Sequence, residues 1–182
     1  QAVLTDGDGD TDTETLNLAD AISFFDDGPQ LSSSDLTADS LQVDETDLTT
    51  DITVNYSSNF SVDAGEDDQD TLVYSLTISS TGVDSGVATT AGNSVFLYMD
   101  GNDVVGREGS GTSPVANGAV AFRVSVDGST ADVTLDQVMS LEHPTGGASS
   151  PNEEISLTSD VINLQAVLTD GDGDTDTETL NL

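Results

Sequence analysis

Residues 1–18 read QAVLTDGDGDTDTETLNL, and residues 165–182 read the same. Within each copy an alternating apolar run leads into an Asp/Gly turn, and a Thr-rich alternating run follows. Alternation with a period of two marks a half-buried strand. Tight turns rich in Asp and Gly join antiparallel strands. Each copy therefore reads as a β-hairpin closed by an acidic turn. Residue n recurs at n + 164 through all 18 positions. No folding constraint demands such identity at exposed positions, so the expected origin is a tandem array with one period between the copies.

Working outward, the same signals recur along the chain. Residues 52–56 (ITVNY) alternate strictly, and residues 60–62 (FSV) continue the parity after a Ser57-Ser58 break. Residues 63–70 (DAGEDDQD) form a loop whose Asp63, Glu66, Asp67, Asp68 and Asp70 fit a solvated loop or a second cation site equally well. Residues 72–78 (LVYSLTI) put Leu72, Tyr74, Leu76 and Ile78 on one face. Residues 95–99 and 104–107 surround Asp100-Gly101-Asn102-Asp103, and residues 120–126 and 131–135 surround Asp127-Gly128-Ser129-Thr130, so both pairs predict hairpins. Residues 137–142 are expected to extend the second of these.

Other segments are less regular. Residues 21–25 (AISFF) make a short apolar run stopped by Asp26-Asp27-Gly28-Pro29, a turn or linker. Residues 30–40 are polar and weakly patterned, and residues 41–46 (LQVDET) open a new ordered section. Residues 79–93 and 108–118 read as Gly-containing loops, and residues 143–154 as a polar loop holding Pro144, Gly146, Gly147 and Pro151. Heptads and βαβ alternation are absent. The expected fold is all-β: an antiparallel β-sandwich, Ig-like or cadherin-like, stabilised by calcium. Residues 1–24 read as the closing hairpin of a preceding repeat, or as one part of a split domain. Residues 25–182 read as one sandwich ending in the duplicated hairpin.

The charge narrows the function. The chain has 35 Asp and Glu, two basic residues (Arg107 and Arg123) and a formal net charge of −33. Such a surface repels nucleic acid and anionic membranes, and its self-repulsion opposes a compact state. Much of the acid is concentrated in loops, which points to divalent cations. With no Cys, disulfides cannot staple the fold, and metal is the available substitute. No run approaches the ~20 apolar residues of a membrane-spanning helix.

Calcium takes about 6–8 oxygen ligands, chiefly carboxylates and carbonyls. Asp170, Asp172 and Asp174 offer three carboxylates, as do Asp6, Asp8 and Asp10 in the first copy. The turn is not an EF-hand loop: Thr11 stands where that loop needs Gly, and Asn17 where it needs a bidentate Glu. It lacks the consecutive copies of a nine-residue β-roll. The missing ligands must come from elsewhere, and we expect one shared site formed with Asp26, Asp27 and Glu45. His143, the only His, has no Cys or second His to join it in a zinc site. Arg107 and Arg123 are expected to pair with acidic neighbours. The chain has no Trp to build a sugar-binding platform and no Gly-Lys-Ser/Thr phosphate loop, so hydrolase and nucleotide-binding readings are weak.

Three motifs in order carry a resemblance: Phe25-Asp26-Asp27-Gly28-Pro29, Leu41-Gln42-Val43-Asp44-Glu45-Thr46 and Leu168-Thr169-Asp170-Gly171-Asp172-Gly173-Asp174-Thr175. Together they resemble a repeat of the giant RTX adhesins exported by type I secretion. The resemblance implies an extracellular extender module on a bacterial cell surface, whose partners are neighbouring repeats of the same chain. It implies calcium at the domain junctions, with Asp26, Asp27, Asp170, Asp172 and Asp174 as ligands. Adhesion and biofilm formation would be the role of the whole, with neither catalysis nor a small-molecule substrate. A calcium-dependent module that binds carbohydrate or protein through residues 79–93 or 108–118 is the alternative.

Overall fold

The computed structural model describes residues 1–36, 41–144 and 153–182. Gly146, Gly147 and Pro151 of the polar loop, and the end of the segment 30–40, lie outside the described residues. Alternation in the sequence becomes alternation in burial. Along residues 162–170 every second side chain is buried, from Ile162 through Leu164, Ala166 and Leu168 to Asp170.

Thirteen strands form among the described residues. They are β1 (Ala2–Thr5), β2 (Thr11–Glu14), β3 (Gln30–Ser33), β4 (Ile52–Asn55), β5 (Phe60–Asp63), β6 (Gln69–Ile78) and β7 (Val83–Ala88). After these come β8 (Ser94–Asp100), β9 (Asp103–Glu108), β10 (Val120–Val126), β11 (Asp132–Gln137), β12 (Ile162–Asp170) and β13 (Thr175–Asn181). Six form one antiparallel sheet in the order β4-β11-β10-β9-β8-β7, and three form a second in the order β13-β12-β6. A two-stranded sheet, β3-β5, adjoins β13. There the contact runs through side chains. Leu31 N–H donates to Asp176 Oδ2 at 2.6 Å, and Ser33 Oγ–H donates to Glu178 Oε2 at 3.3 Å.

The layers close on one core. Val95, Leu97, Val104, Phe122, Val124 and Val133 of the six-stranded sheet share it with Tyr74, Leu76, Leu164, Leu168 and Leu180 of the other. Phe60 of β5 and Tyr74 pack as tilted rings with centroids 5.6 Å apart. Burying a Leu of this kind contributes about 1.5–3 kcal/mol. The all-β sandwich expected from the sequence is the fold observed.

Several local expectations change. Residues 79–93 contain a strand, β7, paired with β8 through an irregular register. Asp84, Ser85 and Gly86 in its middle hide its alternation, yet Ser85 is buried because its Oγ–H donates to the Val95 carbonyl at 2.7 Å. Residues 30–33 are polar in sequence but form β3, because β5 supplies the ladder partners. The apolar run of residues 21–25 is not buried: a 3-10 turn spans Ala19–Ala21, and Phe24 and Phe25 are exposed. The strand before residue 138 stops at Gln137, where the Val138 and Met139 N–H groups turn to the Ala121 carbonyl.

The two copies of the hairpin part company here. The second is the centre and edge of a sheet, with β12 between β6 and β13. The first is a two-stranded sheet of its own, and residues 1–28 are exposed throughout. The hairpin of residues 1–24 is thus no part of the sandwich in this structure.

Candidate metal centre

The acidic turn after β12 is built by its own backbone. Asp170 N–H donates to the Asp174 carbonyl at 3.1 Å. Asp170 Oδ1 accepts from Gly173 N–H at 3.0 Å and from Asp174 N–H at 2.8 Å. Gly173 sits at φ 104°, a conformation that side chains rarely adopt. These bonds occupy one oxygen of Asp170 and fix the other. Asp170 is 1% exposed, and its Oδ2 is buried without a hydrogen-bond partner among the described residues. A buried carboxylate oxygen in that state costs free energy unless something compensates it.

Antiparallel pairing brings a second segment to the same place. Because β6 runs beside β12, the loop before β6 meets the turn after β12. The register slips by one residue there, between Thr169 and Asp170, and such bulges re-aim side chains at sheet ends. The loop carries a 3-10 turn, Gly65–Asp67, followed by Asp68 at φ 61° and ψ 164°. The Asp67 carbonyl packs so closely on Gly171 that a Cβ there would collide with it.

The linker before β3 is the third contributor. Ligand oxygens of Asp26, Asp172 and Asp174 lie within 4.8 Å of one another, and so do those of Asp67, Asp170 and Asp172. Asp27 lies alongside: a Cβ on Gly65 would sit 2.8 Å from the Asp27 carbonyl oxygen. Like charges crowd here and disfavour ionisation. Contact with the Asp170 carboxylate, reinforced by the field of Asp26, raises the pKa of Asp172 above the ordinary Asp value. Contact with Asp26 raises that of Asp174.

The chemistry of this set is hard and anionic. Carboxylates and a nearby backbone carbonyl suit a cation such as calcium, which takes oxygen ligands in flexible geometry. No sulfur or imidazole takes part among the described residues. The centre would concentrate a dication against repelling carboxylates and tie three chain segments together.

Of the residues singled out from sequence, Asp26, Asp170, Asp172 and Asp174 come together. Asp27 is adjacent but outside both groups of close oxygens. Glu45 requires a correction. Its Oε1 accepts from Gln137 Nε2 and from Leu141 N–H, both at 2.6 Å, and lies 3.7 Å from His143 Nε2. Those donors hold it at the end of β11, away from the acidic turn. Asp6, Asp8 and Asp10 form a third close group, wholly exposed on the detached hairpin. Asp67 joins this centre and not a separate second site, which its irregularly spaced acidic loop left open beside a merely solvated loop. Pairing β6 with β12 from their matching alternation would have placed that loop at the turn.

The arginines divide. Arg123 donates to Asp103 Oδ2 at 2.7 Å and to Asp100 Oδ2 at 2.8 Å, as expected. Arg107 instead donates to the Gly118 carbonyl at 3.1 Å.

No curated protein and no solved structure matches this chain. A family described as a domain of unknown function, DUF5801, matches residues 40–182, from ahead of β4 through the acidic turn and β13. That span covers most of the chain and every strand of the two main sheets, so the chain belongs to the DUF5801 family.

Proposed function

We propose that this chain is a calcium-folded structural extender module of a bacterial surface adhesin. The reading rests above all on Asp170, whose buried Oδ2 lacks a partner in a cluster of carboxylates drawn from three segments. A dication there offsets the repulsion and closes the linker, the loop and the turn into one unit. Only the folded chain assembles this ligand set, so binding stabilises the fold by mass action.

The same logic gives the module its place. In calcium-poor cytosol the uncompensated charge keeps the chain loose enough for export. Outside the cell, calcium folds and stiffens it. The linker ligand Asp26 lies between the duplicated hairpin and the sandwich, where an ion would set the angle between successive repeats. The module projects an adhesive tip, carries out no catalysis and takes its partners from neighbouring repeats. Calorimetric titration with calcium and thermal unfolding in calcium and in EDTA test this. The reading requires saturable binding and a higher melting temperature with calcium, and an unchanged melting temperature would falsify it.

A further inference from the structure

The carboxylates of the centre do not form one ring. They fall into two groups of close oxygens, Asp67 with Asp170 and Asp172, and Asp26 with Asp172 and Asp174. Asp172 alone belongs to both. We propose that the centre is a pair of divalent-cation sites bridged by Asp172: an inner site that locks the sandwich and an outer site that fastens the linker to it. The inference rests on the calcium reading above and assigns each ion a separate task.

The inner site has the stronger internal case. Asp170 is almost wholly buried, its Oδ1 is spent on two backbone N–H groups, and Oδ2 has no partner. That oxygen is the one left to meet an ion. The Asp67 carbonyl pressed against Gly171 adds a neutral oxygen at the same place. The three inner carboxylates come from the loop before β6, the end of β12 and the turn after it, which belong to the sandwich itself.

The outer group differs in origin. Asp26 comes from the linker, and the idealised Cβ position of Gly28 is 3.9 Å from Asp174 Oδ2, so the linker backbone runs over the turn. All three outer carboxylates are exposed. An ion there joins a segment outside the sandwich to one inside it. Charge supports the pair as well. Five carboxylates meet at the centre, and one dication would leave three negative charges crowded together, whereas two leave one. A carboxylate has two oxygens, so Asp172 can serve both ions at once.

The test uses the full chain and calcium alone, with binding counted by calorimetry as the difference from the unsubstituted protein. This difference cancels sites elsewhere, including the exposed group at Asp6. Asp172→Asn should lose two equivalents, and Asp26→Asn and Asp67→Asn one each. Asp26→Asn should keep most of the calcium-induced rise in melting temperature, while residues 22–29 stay open to protease in calcium. Asp67→Asn should lose most of that rise. All three positions are exposed, and far-UV circular dichroism in calcium checks that each variant is folded before binding is counted. Loss of the same single equivalent by all three would overturn the paired sites and leave a single calcium centre standing. An absence of calcium binding by the unsubstituted chain would overturn the underlying reading as well.

Discussion

Residues 2–14 and 166–178 are one sequence in two settings. Both fold into a hairpin in the same register, Ala2 opposite Glu14 and Ala166 opposite Glu178. Both turns use the same bonds: the carboxylate of Asp6 accepts from the Gly9 and Asp10 N–H groups as that of Asp170 does from Gly173 and Asp174. The glycines sit at φ 103° and 104°. Beyond the turn the copies diverge. Leu4 is 71% exposed and Leu168 is 0% exposed. Asp6 is solvated, and hydrogen bonds, first from Asp8 and then from the Asp10 N–H, lower its pKa. Asp170 is buried, and its neighbours Asp172 and Asp174 have raised pKa values. Short-range bonds set the shape of the hairpin, and the surrounding layers decide what that shape contributes.

Equal substitutions at equivalent positions break this comparison most sharply. Leu168→Ala should cost about 2–5 kcal/mol in denaturant unfolding, because it empties a buried site. Leu4→Ala should stay within about 0.5 kcal/mol. Next come the two turns. At calcium about 100-fold above its dissociation constant, bound ion contributes about 2.7 kcal/mol. For a chain of this size each kcal/mol moves the melting temperature about 2–4 °C. Asp170→Asn should therefore lower the melting temperature in calcium by about 5–11 °C, and Asp6→Asn should leave the sandwich transition in place.

A smaller effect changes sign with the medium. The raised pKa of Asp172 in the folded chain means that its favourable contribution is full below the unfolded value, 3.8, and is lost as pH rises through the folded value. Without metal, then, ionised Asp172 opposes folding at neutral pH, and acidification relieves it. Asp172→Asn should raise the melting temperature in EDTA at pH 7 and lower it in calcium. A drop in both media would mean that Asp172 supports the fold by some route other than an ion.

Asp100 behaves in the opposite way, and its effect is smaller again. Hydrogen bonding to Arg123 lowers its pKa, so its contribution is present above the unfolded value of 3.8 and lost as pH falls through the folded value. Asp100→Asn should flatten the acid limb of the stability curve below about pH 4 and leave calcium binding unchanged. The smallest expected effect is that of deleting residues 1–24. This segment is exposed along its whole length, so the sandwich should melt at the same temperature without it.

The legible parts of this fold were those governed by local rules. β6 was readable because Leu72, Tyr74, Leu76 and Ile78 alternate without interruption. The β8–β9 and β10–β11 hairpins were readable from their Asp/Gly turns. β3 and β7 were not, because their ladders depend on partners that the residues themselves do not announce. Most of the candidate metal centre was legible as well. Asp170, Asp172 and Asp174 share one turn, whereas Asp67 enters only through the pairing of β6 with β12. Glu45 stood beside a plausible motif, and the end of β11 claimed it.

Sequence by itself determined the hairpin: its turn, its register and its acidic charge are the same in both copies because they rest on bonds within about a dozen residues. Tertiary structure decided the rest. Placing β12 beside β6 buried Leu168 and left Asp170 Oδ2 buried with no hydrogen-bond partner among the described residues. Packing the loop before β6 and the linker before β3 onto that turn gathered the remaining carboxylates. A long-range contact of this kind depends on which surfaces meet, and a hairpin sequence that folds alike in two places cannot encode which of them it will meet.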